Sequence, residues 1–129
     1  MKGRLQLPVP AQSCRIIAMR PRLERPVLIS TSRHITQGIV DVLEEKWDEI
    51  TKSLSGRSKV VGSDAYELRI VTSAKGNGWK ADTIELSPAD TAAGAKAFLK
   101  MEDGLLRATI ESTASYEVSW SVKFQSSAR

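Results

Sequence analysis

The stretch from Ile35 to Leu54 constrains the fold of this chain more than any other. Its apolar residues recur at steps of three and four, which is the period of one helical face. They are Ile35, Ile39, Leu43, Trp47, Ile50 and Leu54. Hydroxyl residues just upstream can cap a helix, and Gly56 can end it. The pattern therefore predicts a long amphipathic helix within residues 34–56.

Several short runs after this helix alternate between apolar and polar residues, which is typical of half-buried strands. The clearest covers Tyr116 to Phe124, and others lie at 66–70 and 95–110. Glycine-rich sequences at 75–78 and 103–104 predict hairpin turns. The run at 79–86 changes phase midway, which indicates either a bulge or burial on both faces. Ser87 followed by Pro88 predicts a turn or one short helix.

The N-terminal residues predict a β-hairpin. Residues 4–9 alternate, with Pro8 among them and Pro10 directly after them, and residues 14–19 form a short apolar run. Residues 20–26 are predicted to be a loop, because proline disfavours helix in the residues around it.

Together these elements predict an α+β fold, with one long amphipathic helix packed on a curled antiparallel sheet. The predicted organisation is a single domain over residues 1–129. It has a basic hairpin and loop at 1–33, the central helix at 34–56, antiparallel strands at 57–124 and a tail at 125–129. The predicted core consists of Leu43, Trp47, Ile50, Leu68, Ile70, Ile110, Val118, Trp120 and Val122.

Composition excludes several classes of protein. The 129 residues suffice for one domain with its own core, and the single cysteine excludes an intrachain disulfide. No apolar run approaches the roughly 18 residues that cross a bilayer, and there is no secretory signal. We therefore expect a cytoplasmic protein that does not associate with membranes.

The residues suggest no catalytic chemistry. His34 and Cys14 are the only residues of their types, and they do not form the clustered ligands of a zinc site. Cys14 is predicted to be a small buried apolar residue, and His34 an exposed or capping residue at the helix start. The acids of the predicted helix, from Asp41 to Glu49, are expected to face water. The sequence does not exclude an enzyme, but it offers no catalytic residue, no metal ligand and no cofactor motif.

Charge is distributed unevenly along the chain. Residues 1–33 contain seven basic residues and one acid, a net +6, so the other 96 residues carry −2 of the total +4. A basic segment of this kind binds polyanions, forms a solvated surface or serves as a transit peptide, although its prolines oppose the helix that a transit peptide needs. Trp79 follows a glycine-rich tip, where it either contacts a partner or folds back onto the sheet. The candidate binding residues are Arg15, Arg20, Arg22, Arg25, Trp79 and Lys80.

Three segments resemble a known family. LPVP with CRIIAM, the helix sequence ITQGIVDVLEEKWDEITKSL and the closing sequence ASYEVSWSVKF are similar to the trypsin-co-occurring modules of bacterial conflict systems. The resemblance covers about residues 4–54 and 114–124, and residues 57–104 depart from it. It implies a non-enzymatic adaptor associated with an effector, and it identifies no functional residues.

Two functions follow from the sequence. The first is a non-enzymatic module that binds another protein or copies of itself, since the strand from Tyr116 to Phe124 could pair with a partner strand if it lay at a sheet edge. The alternative is nucleic-acid binding by the basic N-terminal segment.

Overall fold

The described part of the chain is almost entirely β-structure. The computed structural model describes residues 4, 6–14, 19–21, 23–33, 41–74, 77–102 and 105–126. Within these residues lie nine strands and one short helix. They are β1 (Val27–Thr31), β2 (Val42–Asp48), β3 (Ser53–Val60), β4 (Tyr66–Val71), β5 (Ser73–Ala74), β6 (Asn77–Leu86), α1 (Pro88–Ala92), β7 (Lys96–Glu102), β8 (Leu105–Glu111) and β9 (Tyr116–Ser126).

The strands form two antiparallel sheets that enclose one core. Sheet A has the order β1-β4-β8-β7, and sheet B has the order β2-β3-β9-β6-β5. Alternate residues of β4 and β8 face alternate residues of β3 and β9, and the largest buried members are Trp120, Tyr66 and Leu54. Because one apolar cluster draws on both sheets, the architecture is a β-sandwich.

The predicted α+β fold is wrong, because the residues assigned to its central helix form a β-hairpin. β2 pairs with β3 from Val42 opposite Ser58 to Asp48 opposite Ser53. The Asp48 carboxylate accepts backbone N–H bonds from Thr51 at 3.1 Å and from Ile50 at 2.8 Å, which close the turn and lower the pKa of Asp48. Residues 34–40, the first part of the predicted helix, lie outside the described residues.

Two features explain why β3 escaped detection. It alternates inward-facing Leu54, Gly56, Ser58 and Val60 with outward-facing polar residues, so half of its inward positions are not apolar. Small residues are needed there because the Trp120 indole of β9 lies over this part of β3 and donates from Nε1 to the Ser58 hydroxyl at 2.9 Å. A hydrophobic pattern cannot reveal a strand whose core positions are filled by a neighbour's side chain.

Gly56 has no room for a side chain. A Cβ there would lie 2.2 Å from the backbone oxygen of Glu44 on β2 and 2.7 Å from the ring of Trp120. The backbone oxygen cannot rotate away as a flexible side chain would. The register of β2 against β3 also shifts at this point, between Val42 and Glu44. This position therefore requires glycine.

The predicted N-terminal hairpin does not form within the described residues. Arg4 and residues 6–9, from its first strand, have no strand structure. Most of the second predicted strand, residues 15–18, lies outside the described residues. Cys14 is exposed, so the prediction that it is buried is also wrong.

The predictions for the C-terminal half are largely confirmed. The strand predicted from Tyr116 to Phe124 is β9, and Val118, Trp120, Val122 and Phe124 of this strand are buried. The short-helix alternative after Ser87 is confirmed, with the Ser87 hydroxyl accepting from the Asp90 N–H as N-cap. The phase change in β6 is a register shift between Ala81 and Thr83.

Of the predicted core, however, Ile50 is 92% exposed in the β2–β3 turn.

A buried polar cluster joins the two sheets beside the core. The Asp41 carboxylate, which precedes β2 of sheet B, accepts from the Thr31 hydroxyl of β1 and from the Tyr66 hydroxyl of β4 at 2.9 Å. Asp41 is 6% exposed, so its predicted place on a solvated helix face is wrong. Burial, together with the nearby carboxylate, raises the pKa of the Tyr66 hydroxyl well above its usual range. The phenol therefore remains a hydrogen-bond donor.

The outer face of sheet A carries a charged group around Glu67. Its carboxylate accepts from Arg69 at 2.8 Å and from Arg107 at 2.7 Å. Burial alone would raise the pKa of Glu67, but the two arginines outweigh it and hold that pKa below its usual value. This acid is therefore charged in the folded protein.

Candidate functional site

A β-sandwich has two open sides, where the edges of one sheet face the edges of the other, and the two sides of this protein differ. On the side of β1 and β2, the N-terminal segment bridges the edges. The Arg20 guanidinium donates to the Leu28 backbone oxygen of β1 and to the Glu45 carboxylate of β2, the latter at 2.7 Å. This side is closed by residues of the chain itself.

The opposite side, between β6 and β7, holds a groove of about 460 Å³. The two strands approach one another but do not pair. The groove is lined by Trp79, Lys80 and Ala81 of β6, by Leu99 and Met101 of β7 and by Leu106 of β8. It opens at the end of the sandwich remote from α1, since β6 and β7 are joined through that helix at the other end.

The strand β7 forms the outer edge of sheet A beside this groove. It pairs with β8 along its whole length, from Lys96 opposite Glu111 to Glu102 opposite Leu105. No described residue pairs with its other edge. Phe98 is 49% exposed and Met101 is 56% exposed, whereas Leu99 between them is half-buried. We refer to Lys96–Glu102 with this unpaired side as the β7 edge.

Trp79, which lines the groove, belongs to a cluster of aromatic rings. The rings of Trp47 and Trp79 meet edge to face with centroids 5.3 Å apart, and Phe124 lies 6.1 Å from Trp47. Trp79 donates from Nε1 to the Glu24 backbone oxygen at 3.1 Å, and the Lys52 ammonium lies 5.6 Å from the centre of its ring. Contacts on several sides hold Trp79 in place, so it is folded back onto the sheet. This was one of the two alternatives predicted for Trp79.

The structure separates the six predicted binding residues into different places. Trp79 and the exposed Lys80 line the groove. Arg20 is engaged by Glu45 on the opposite side of the sandwich, and Arg25 donates to the Pro26 backbone oxygen. Arg15 and Arg22 lie outside the described residues. The structure therefore does not gather the four arginines around Trp79.

The strand predicted to offer a free edge is central instead. β9 lies between β3 and β6 in sheet B, so both of its edges are occupied. The sequence did not identify β7 as an edge strand, because alternation alone does not distinguish an edge strand from a central one. The available signal was the pattern of Lys96, Phe98, Lys100 and Glu102 on one face, since lysines are common on strands at a sheet edge.

The described residues supply little for catalysis. They contain no group of three or more histidine, cysteine, aspartate or glutamate side chains placed to hold a metal ion. The most deeply buried acid of the described residues, Asp41, accepts from two hydroxyls inside the protein and does not line the groove. None of the helices in the described part of the chain is long and apolar enough to cross a membrane.

Comparisons of the chain with models of protein families, with curated proteins and with solved structures gave no match. The resemblance to the trypsin-co-occurring modules stays a prediction. Part of the helix sequence on which that resemblance depends is the hairpin of β2 and β3.

Proposed function

We propose that this protein is a non-enzymatic binding module that holds an extended segment of a protein partner against the β7 edge. One observation carries the proposal. A seven-residue strand at the outside of a sheet has no described neighbour on one side, and it borders an apolar groove. An extended segment placed there would bond to the unpaired backbone groups of β7 and cover the groove.

The side chains of β7 support a selective interaction. Lysines on an edge strand normally prevent pairing with arbitrary strands. Here Lys96 and Lys100 flank Phe98, whose ring is half exposed, and Met101 follows at the mouth of the groove. Such an edge disfavours strands that place a basic residue opposite either lysine, and it offers apolar contacts to strands that do not.

The resemblance to the conflict-system modules suggests the setting of this interaction. It would make this protein an adaptor associated with an effector. Nucleic-acid binding by the basic N-terminal segment is the alternative, and the engagement of Arg20 by Glu45 weighs against a role for this arginine.

Quantitative affinity purification from cells of the source tests the proposal. The tagged chain is compared with a double variant, Phe98→Asp with Met101→Asp, and with the control Val61→Asp. Val61 is apolar and 43% exposed, and it follows β3, whose last residue lies opposite Tyr116 at the start of β9. The groove lies at the other end of β9, where Trp79 pairs with Ser126. We expect the same protein to be captured by the wild type and the control and lost with the double variant. Equal capture by all three chains, or no captured protein, would contradict the proposal.

A further inference from the structure

We infer that the segment held at the β7 edge is β7 of a second copy of this chain, in one antiparallel register centred on Leu99. This inference rests on the proposed function and specifies its partner. The geometry of a continued sheet limits the registers, because directly opposed residues project from the same face. Outward residues of one β7 must therefore oppose outward residues of the other.

In the register centred on Leu99, both outer-face pairs are complementary. Lys96 of each copy lies opposite Glu102 of the other, which gives two opposite-charge pairs related by the twofold axis. Phe98 lies opposite Lys100, whose aliphatic stem can cover the exposed ring while its ammonium stays 2.9 Å from the Glu102 carboxylate of its own chain. All seven residues of the strand have a partner.

The neighbouring registers are not complementary. Moving the centre to Phe98 places Lys96 opposite Lys100 twice, and moving it to Lys100 places that lysine opposite itself. Like charges directly opposed in adjacent strands destabilise the pair. The sequence of β7 thus selects one register of self-pairing and disfavours the two that overlap with it most.

The inner face of the same register is apolar. Leu99 opposes its own copy across the twofold axis, and Met101 opposes Ala97 of the second copy. Met101 is the most exposed of these inner side chains and borders the groove. A second strand would remove it from water and extend sheet A over the mouth of the groove.

Charge reversal at the two ends of β7 tests the register directly. Lys96→Glu places an acid opposite Glu102 in both symmetry-related pairs, and Glu102→Lys places a lysine opposite Lys96 in both. Each variant alone should therefore dimerise about tenfold more weakly or worse. Mixed together, the two variants restore both opposite-charge pairs in a heterodimer. Lys123→Glu on the exposed face of β9 is the control, since it changes the net charge as Lys96→Glu does but lies away from β7.

Sedimentation equilibrium over a concentration series up to about 1 mM measures the association. We expect a wild-type dimer, an equal dimer for the control, weaker dimers for each single variant and recovery in the mixture. Circular dichroism confirms that each variant is folded. A monomeric wild type, single variants that dimerise like the wild type, or a mixture without recovery would overturn the inference.

Failure of this inference can be distinguished from failure of the proposed function. A monomeric chain that still captures a cellular protein, and loses it with the Phe98→Asp and Met101→Asp variant, refutes self-pairing and leaves the binding module intact. If these two substitutions change neither self-association nor capture, both proposals are refuted.

Discussion

Removing the Asp41 carboxylate should destabilise this protein far more than removing an exposed acid of the same segment. In Asp41→Ala, the hydroxyls of Thr31 and Tyr66 lose their shared acceptor in the buried interior. A buried donor without a partner costs about 1–3 kcal/mol. The Ser58 hydroxyl lies within reach of Tyr66 and can compensate in part. We therefore expect the free energy of unfolding to fall by about 3 kcal/mol, a large share of the 5–15 kcal/mol of a typical domain.

The control is Glu44→Ala, three residues further along. Glu44 is exposed on β2 and lies 3.7 Å from Arg57, an ion pair of the kind that contributes about 0–1 kcal/mol. A helix exposing both acids would give two small and similar effects. The sandwich gives one large and one small effect. The pair of variants therefore distinguishes the two folds and also measures how much the buried polar cluster contributes to the free energy of unfolding.

Urea denaturation followed by tryptophan fluorescence and far-UV circular dichroism provides the measurement. Tyr66→Phe removes one donor of the cluster and should cost about 1.5–3 kcal/mol. The double variant Asp41→Ala with Tyr66→Phe should cost less than the sum of the single effects, because the two groups share one bond. Equal and small losses for Asp41→Ala and Glu44→Ala would refute the buried cluster.

Three further predictions follow from the fold and the charges. Gly56→Ala should lower the free energy of unfolding by about 3 kcal/mol, since the new methyl group meets the backbone oxygen and the indole beside it; an unchanged urea midpoint would contradict this. Glu67 has a lowered pKa in the folded state, so it stabilises the protein above its unfolded pKa of about 4.3, and this contribution is lost as the pH falls further. Glu67→Gln should therefore flatten the loss of stability between about pH 5 and pH 3, and equal slopes in urea titrations would show that the charge contributes nothing. If the basic segment binds nucleic acid, replacing Arg20, Arg22 and Arg25 with alanine should reduce the slope of log affinity against log salt concentration. The reduction should be about 0.9 per lost contact with duplex DNA, measured by fluorescence anisotropy. Absence of binding by the wild type would rule out this alternative.

Local patterns decided the C-terminal half of the chain. In β9, apolar and polar residues alternate without interruption, and an inward side chain at every second position is the only arrangement that buries one face. Ser87 and Pro88 likewise carry their own cap geometry, which needs no distant contact. Elements of this kind could be predicted because the pattern that indicates them lies in residues that are neighbours in sequence.

The fold of residues 41–60 was decided by contacts that are distant in sequence. The spacing of Leu43, Trp47 and Leu54 fits a helical face, yet the same residues fit two strands joined by a turn. Trp120, more than sixty residues away, occupies the space above Gly56 and bonds to Ser58, which makes β3 a strand of the core. Helical periodicity is a weak preference, and such tertiary contacts outweigh it.

The candidate site has the same dependence on tertiary structure. The sequence identified Trp79 and Lys80, but nothing local shows that they face Met101 across a groove or that β7 lies at the outside of its sheet. It also predicted a free edge for β9, which two neighbouring strands occupy. The alternation of a strand and the turns beside it are determined by the local sequence. Strand order depends on which strands meet after the chain has crossed between the sheets, so only the assembled sandwich determines which edge remains open.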